Sequence, residues 1–150
     1  MKSEPESYSI DQFAKDKKTL WSGVRNYQAR NFMVDTMKPG EKFFFYHSNA
    51  EPAAIVGLGE IVRTGVADPT ALDKKSDYYD PKASKDHPIW FCAEVKFIEK
   101  FASPLSLEEI RGIKELVSMP LLARGQRLSV QQVSAKDFAF ILKRVKAQTT

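Results

Sequence analysis

Side chains that suit a nucleobase are concentrated in residues 21–31, which read Trp-Ser-Gly-Val-Arg-Asn-Tyr-Gln-Ala-Arg-Asn. Aromatic faces stack on bases, amide groups pair with base edges, and guanidinium groups bind phosphate oxygens. The mixture therefore predicts a nucleic-acid-binding segment in which Arg25 and Arg30 meet phosphates. The alternative is structural: Trp21 and Tyr27 would be core aromatics, and the two arginines would be solvated charges beside a helix start.

A second basic cluster occupies residues 124–129, which read Arg-Gly-Gln-Arg-Leu-Ser. It places the guanidinium groups of Arg124 and Arg127 shortly before a segment of alternating apolar residues. Guanidinium groups bind phosphates through paired, charge-assisted hydrogen bonds. We predict that both arginines and Ser129 contact the phosphate backbone of the same ligand.

Catalysis is the main alternative function that these residue types allow. A hydrolytic triad would combine Ser22 or Ser48 with His47 and an acid such as Asp35 or Asp80. The chain has no Gly-x-Ser-x-Gly motif, and His47 and Ser48 would point to opposite faces of a strand. We therefore predict that the protein is not an enzyme; the alternative is acid–base chemistry on a nucleotide by His47, Asp80 or Glu4. His47 either points into a pocket or satisfies a backbone carbonyl.

The composition agrees with a binding module of one domain. The chain has 150 residues, 23 basic against 19 acidic side chains, and a net charge of +4, which mildly favours anionic partners. One cysteine and two histidines without ligand spacing predict neither a disulfide, nor a metal site, nor a cofactor. No signal peptide or membrane-spanning run is evident. We expect a cytoplasmic protein, nucleoid-associated at most, or a nuclear one in a eukaryote.

Four helices are predicted from capping signals at Ser9, Asn26, Ser106 and Ser134. Strands are predicted where apolar and aromatic residues run or alternate, at residues 42–47, 53–62, 89–101 and 128–133. Residues 63–88 are polar and predict a long functional loop. The order of these elements favours an α+β fold with a strongly bent mixed or antiparallel sheet, a partial barrel, surrounded by short helices. Gly57 and Gly59 predict a bulge or bend in the second of these strands.

Five motifs, in order along nearly the whole chain, resemble the EVE domain family. They are Lys-Ser-Glu-Pro with Tyr-Ser-Ile at 2–10, the segment at 21–31, Phe-Tyr-His-Ser at 45–48, Tyr-Tyr-Asp-Pro at 78–81 and Arg-Leu-Ser-Val-Gln at 127–131. The resemblance implies a single EVE domain over residues 1–150 with a PUA-like pseudo-barrel. Family members usually carry an apolar first strand before the first motif, whereas Met1 precedes Lys2 here.

The resemblance also implies a function. EVE domains resemble readers of modified bases and are related to YTH domains, which bind methylated adenine in RNA. The implied partner is nucleic acid with a modified base, with modified cytosine in DNA favoured and RNA as the alternative. The implied base pocket consists of Ser3, Glu4, Trp21, Ser22, Gly23, Val24, Asn26, Tyr27, His47, Ser48, Tyr79 and Asp80. Trp21 would stack on the base, and Tyr79 with Asp80 would form the opposite wall. A protein-interaction module that uses residues 63–88 is a further alternative.

Overall fold

Five strands are present in a computed structural model that describes residues 1–125 and 128–147, and the three longest strands are rich in aromatic and β-branched residues. The strands are β1 (Lys2–Ser3), β2 (Lys18–Leu20), β3 (Lys42–His47), β4 (Ala54–Ala67) and β5 (Phe91–Ser106). They form one sheet in the order β1-β3-β4-β5-β2. β1 is parallel to β3, and the other neighbours are antiparallel, so the predicted mixed sheet is confirmed.

The aromatic run in β3 is buried on both faces of the sheet. Phe43 and Phe45 belong to one core cluster, which also contains Trp21. Phe44 and Tyr46 belong to a second cluster, on the side covered by the C-terminal helix. Successive side chains of a strand point to opposite faces, so a continuous apolar run fits a strand that is covered on both sides.

The pairing of the long strands β4 and β5 is irregular next to two glycines of β4. Their pairing shifts register between Ile55 and Gly57 and again between Leu58 and Gly59. A Cβ atom at Gly59 would overlap the ring of Phe43. The irregularity predicted at the two glycines, a bulge or bend, is therefore confirmed.

Four α-helices surround the sheet: α1 (Ile10–Asp16), α2 (Tyr27–Asn31), α3 (Leu107–Arg111) and α4 (Ala135–Ala147). Each begins at its predicted cap, where a side-chain oxygen accepts a backbone N–H of the first turn. α2 continues into a π-helical turn, Phe32–Thr36. Shorter 3₁₀ turns lie at Pro69–Leu72, Lys114–Leu116 and Pro120–Leu122.

Two predicted segments differ in the structure. Residues 63–67, assigned to a loop, continue β4, because β5 is long enough to pair with them as far as Ala67. The strand predicted at residues 128–133 is not formed. Its backbone instead contributes one hydrogen bond to the sheet edge, from the N–H of Lys2 to the carbonyl of Ser129 at 2.7 Å. The predicted α+β class is confirmed.

Candidate nucleic-acid interface

A cleft of about 1040 Å³ lies between the N-terminal segment and the segment that follows β2. Residues from five separate parts of the chain line it. They are Lys2, Ser3, Glu4, Ser7 and Tyr8; Thr19 to Asn26; Ser48 and Asn49; Tyr78; and Leu128 and Ser129. The lining thus combines aromatic, aliphatic, carboxylate, amide and basic side chains, which is the mixture that a nucleotide requires.

Trp21 lines the cleft with only a small part of its surface. Its side chain is 7% exposed. The indole packs edge to face against Phe45, at 5.3 Å between ring centroids, and against Phe43, at 6.0 Å. Its backbone N–H donates to the carbonyl of Ala93 in β5 at 2.8 Å. Trp21 is therefore held mainly by the core and offers a base little of its ring face.

The buried carboxylate of Asp68 fixes the segment that follows Trp21. Asp68 is 2% exposed and accepts the backbone N–H of Gly23 at 2.8 Å. It also accepts the N–H and hydroxyl of Thr70, at 2.8 and 2.6 Å. Burial alone would raise the pKa of this carboxyl, but the hydrogen bonds from Thr70, Gly23 and Arg25 hold the pKa below its ordinary value. The charge is thus retained inside the protein.

Arg25 connects Asp68 to the loop that carries Tyr78. Nη1 donates to the Asp68 carboxylate and to the carbonyl of Val24, both at 3.0 Å. Nη2 donates to Thr70 Oγ1 at 3.0 Å and to the Tyr78 carbonyl at 2.7 Å. Nε donates to the same Tyr78 carbonyl at 3.0 Å. A guanidinium has five N–H donors, so every donor of Arg25 has a protein acceptor.

The ring of Tyr78 lies directly against the backbone of Gly23. A Cβ atom at Gly23 would be 2.8 Å from Tyr78 Cε2, closer than real Cβ contacts. Gly23 also has φ of +83°, a conformation that other residues adopt at a cost. Tyr78 is 45% exposed and lines the cleft. The missing side chain of Gly23 therefore lets an accessible aromatic ring lie against the backbone of the segment that follows Trp21.

Hydrogen-bond donors and acceptors both line the same cleft. The carboxylate of Glu4 is exposed and can only accept hydrogen bonds when ionised. Asn26 Oδ1 accepts the N–H of Ala29 at 3.0 Å, which leaves its NH₂ group to donate. The hydroxyl of Ser3 donates to the carbonyl of Tyr8 at 2.7 Å and so keeps the N-terminal segment in place.

Comparison with known proteins identifies the family. The sequence model of the EVE domain matches residues 1–144. The chain belongs to the EVE domain family. It is 38% identical over 161 aligned residues to human Thymocyte nuclear protein 1, covering 95% of this chain and 71% of that protein.

Solved structures share the whole fold of this EVE domain. A hypothetical protein from Leishmania major superimposes with a TM-score of 0.94 at 45% identity, covering 100% of this chain and 94% of that one. The human THYN1 protein, solved in complex with DNA that contains 5-methylcytosine, superimposes with a TM-score of 0.88 at 38% identity. The latter comparison covers 97% of this chain and 95% of the human one. These similarities agree with the PUA-like fold that the resemblance implied.

Many residues predicted for the base pocket of the EVE domain do lie together in the cleft. They are Ser3, Glu4, Trp21, Ser22, Gly23, Val24, Asn26 and Ser48. Arg25 and Ser129, predicted to contact phosphates, also line the cleft. Arg25 is committed to protein acceptors, so a phosphate would have to displace one of them.

Four predicted pocket residues lie outside the lining. Tyr27 stacks on Trp90, with 4.8 Å between ring centroids. The Asp80 carboxylate accepts the indole N–H of Trp90 at 2.8 Å. His47 Nε2 accepts the backbone N–H of Ile10 at the start of α1, whereas the predicted alternative was a bond to a backbone carbonyl. Tyr79 is exposed in the loop, next to Tyr78, which takes the predicted position instead.

Two other predicted phosphate contacts, Arg30 and Arg124, do not line the cleft. Arg30 donates to the carbonyl of Ile89 at 2.9 Å and to Asn31 Oδ1. Arg124 is exposed but does not line the cleft. Arg127 lies outside the described residues. Among the described residues of the second basic cluster, Leu128 and Ser129 line the cleft.

Sequence reasoning missed the residues that organise the cleft. Asp68 and Thr70 stand in a polar stretch without helical or strand periodicity, and Tyr78 precedes the tyrosine that was predicted. The signal for Tyr78 was present, because the Tyr-Tyr pair offers two rings and a turn presents only one of them to a given side. Nothing in the local sequence marks Asp68 as the buried partner of an arginine 43 positions away.

No group of three or more histidine, cysteine or acidic side chains is arranged to hold a metal ion among residues 1–125 and 128–147. Within those same ranges, no helix is both long and apolar enough to cross a membrane.

Proposed function

We propose that this EVE domain binds DNA and reads a modified cytosine, most simply 5-methylcytosine, in the cleft between Glu4 and Tyr78. The human relative of known structure was solved with DNA that contains this base. The observation that carries the proposal is the juxtaposition of an exposed carboxylate and an exposed aromatic ring in one cleft. An extruded base would stack on Tyr78 and against the exposed part of Trp21.

The polar lining of the cleft suits cytosine. The exocyclic amino group at C4 of cytosine is a donor, and carboxylates are its usual protein acceptors. Glu4 supplies such a carboxylate, and the NH₂ group of Asn26 can donate to the ring carbonyl. This pattern of one acceptor and one donor would reject thymine, which has a carbonyl at C4.

Aliphatic residues of the cleft suit the added methyl group. Leu20, Val24 and Leu128 all line it. A buried methyl group contributes about 0.8 kcal/mol, which corresponds to about a fourfold gain in affinity. Methyl recognition by this cleft is thus a modest preference added to base recognition. Phosphate contacts contribute the remaining affinity, so binding weakens as salt increases.

We propose that the domain binds its ligand without catalysis, and the states of His47 and Cys92 support this. His47 Nε2 accepts the N–H of Ile10 at 3.1 Å, so the basic nitrogen is already used. Burial lowers the pKa of His47, which favours this neutral acceptor form. Burial raises the pKa of the Cys92 thiol to about 12, so the cysteine is held as a thiol in the core. These features support a reader that turns over no substrate.

The test is a titration of matched duplexes that carry one 5-methylcytosine or one cytosine at the same position. The wild-type protein should bind the methylated duplex about fourfold more tightly. Glu4→Gln replaces a carboxylate, which only accepts hydrogen bonds, by an amide, which also donates them. It should weaken binding of both duplexes about tenfold. Glu6→Gln is the matched control. It removes the same charge from an exposed side chain that lies two positions further along the chain and outside the cleft.

The outcomes separate the alternatives. Equal loss of affinity in Glu4→Gln and Glu6→Gln would show a general charge effect and would contradict base reading. Equal affinity for the two duplexes would remove the modified-base claim. A methylated RNA oligonucleotide that binds more tightly than the methylated DNA would assign the domain to RNA instead.

A further inference from the structure

Tyr27 and Trp90 form a stacked aromatic pair just outside the cleft. Their ring centroids are 4.8 Å apart and their planes differ by 19°. Trp90 is 5% exposed, whereas Tyr27 is 58% exposed. The buried ring is fixed further by its N–H bond to Asp80. The result is a rigid support that presents a tyrosine ring to solvent.

A guanidinium group lies beside this tyrosine. The Cζ atom of Arg30 is 4.7 Å from the Tyr27 ring centroid. Nη1 of Arg30 donates to the carbonyl of Ile89, and Nε and Nη2 both donate to Asn31 Oδ1. These bonds use three of the five N–H donors of the group and fix its orientation. Among the described residues, two donors remain for an anionic ligand.

The pair is continuous with the cleft. Asn26 lines the cleft, and Tyr27 is the next residue of the chain. On the other side, the Arg25 guanidinium lies 5.2 Å from the Trp90 ring and 5.7 Å from the Tyr78 ring. A row of contacting rings and guanidinium groups therefore leads from the cleft to the exposed Tyr27; we call it the ladder. Its members, in order, are Tyr78, Arg25, Trp90, Tyr27 and Arg30.

An exposed ring beside an oriented cation matches the chemistry of one nucleotide, which has an aromatic face and an anionic phosphate. We propose that Tyr27 and Arg30 bind the nucleotide next to the one held in the cleft: its base stacks on Tyr27 and its phosphate meets Arg30. This inference depends on the proposed function of the cleft. It gives the domain a second nucleotide site that recognises no particular sequence, because every base has a stacking face.

The test compares ligands of two lengths. The probes are the mononucleotide 5-methyl-dCMP, which can fill only the cleft, and a single-stranded nine-nucleotide DNA with one central 5-methylcytosine. Tyr27→Leu keeps an apolar cover over Trp90 but removes the aromatic face. It should weaken binding of the nine-nucleotide DNA about tenfold and leave binding of 5-methyl-dCMP unchanged. Tyr27→Phe retains the ring and should bind both probes like the wild type.

The salt dependence tests Arg30. Each phosphate contact on a single strand contributes about 0.7 to the slope of log K against log salt concentration. Arg30→Gln should lower that slope by this amount for the nine-nucleotide DNA. Arg111→Gln is the control, because this exposed arginine ends α3 and lies outside the cleft and the ladder.

The results distinguish failure of the second site from failure of the cleft. If Glu4→Gln weakens binding of both probes while Tyr27→Leu weakens neither, the second site is refuted and the cleft stands. An equal loss for both probes in Tyr27→Leu would also refute it, because the ring would then act through the cleft. If Glu4→Gln has no effect but Tyr27→Leu loses the longer DNA, the surface site is supported and the proposed reading in the cleft fails.

Discussion

The carbonyl oxygen of Tyr78 accepts two hydrogen bonds from Arg25, at 2.7 Å from Nη2 and at 3.0 Å from Nε. The two residues are 53 positions apart in the chain. Arg25 is held in turn by the buried carboxylate of Asp68. The exposed ring that lines the cleft is therefore positioned by a charged network that is itself largely buried.

Arg25→Lys tests whether this arginine positions Tyr78 or binds a phosphate. Lysine keeps the charge but has no planar fork, so it cannot hold Asp68, Thr70 and the Tyr78 carbonyl at once. We expect binding of the methylated duplex to fall at least fivefold, which is about 1 kcal/mol of lost stacking on Tyr78. Fluorescence anisotropy of the labelled duplex measures this affinity. Arg111→Lys is the matched control. Wild-type affinity in Arg25→Lys would contradict the positioning role, because a lysine serves a phosphate as a point charge.

Alanine substitutions at two glycines of positive φ, Gly23 and Gly40, distinguish the effect of the Tyr78 contact from the effect of backbone conformation. Gly23 has φ of +83°, and a Cβ atom added there would overlap the Tyr78 ring. Gly40 has φ of +90°, and a Cβ atom added there would meet no atom within 4 Å. Alanine at either position should cost about 1 kcal/mol of unfolding free energy through the positive φ. Only Gly23→Ala should also displace Tyr78 and weaken DNA binding. Thermal unfolding and anisotropy measure the two effects. Equal binding by both variants would show that the ring contact is unimportant.

His47 should make the stability of the fold depend on pH. Burial is the main cause that lowers its pKa from the ordinary value of 6.5, and the neighbouring charges Asp11 and Lys100 act in opposite directions. The unfolded chain then binds a proton before the folded chain does as the pH falls. The contribution of His47 to the free energy of unfolding is therefore complete above about pH 6.5 and lost as the pH falls through the folded pKa.

Denaturant unfolding at pH 7.5 and 5.5 measures this loss. His47→Ala removes the bond to the Ile10 N–H and should cost about 1 kcal/mol at pH 7.5. The cost should shrink at pH 5.5. His87→Gln is the control, because that histidine is exposed. A cost of His47→Ala that is equal at both pH values would contradict the argument.

Helix starts could be predicted because they depend on residues within one turn. Ser9, Asn26, Ser106 and Ser134 each accept an N–H from a residue three positions later, which is where the sequence motif places the donor. The aromatic run in β3 was equally readable, because burial on both faces requires apolar residues at every position.

Interactions between distant residues could not be predicted in this way. The end of β4 is extended by its pairing with β5. The segment predicted as a strand at residues 128–133 forms no strand, and its Ser129 carbonyl accepts the N–H of Lys2 in β1. The choice of Tyr78 over Tyr79 depends on a turn whose geometry is set by Arg25, far away in the sequence.

The sequence by itself determined the α+β class, the helix caps, the aromatic core strand, the family resemblance and most of the lining of the cleft. The helix caps and the aromatic strand follow from residue types within a short window. The α+β class follows from the order of the elements, and the lining of the cleft follows from the family resemblance along nearly the whole chain. Only the tertiary structure decided that Trp21 is largely buried, that Asp68 anchors Arg25, and that Tyr78 is the exposed ring. The physical reason is that burial and hydrogen-bond partners are properties of packed neighbours, which the folded chain brings together from positions more than 40 residues apart.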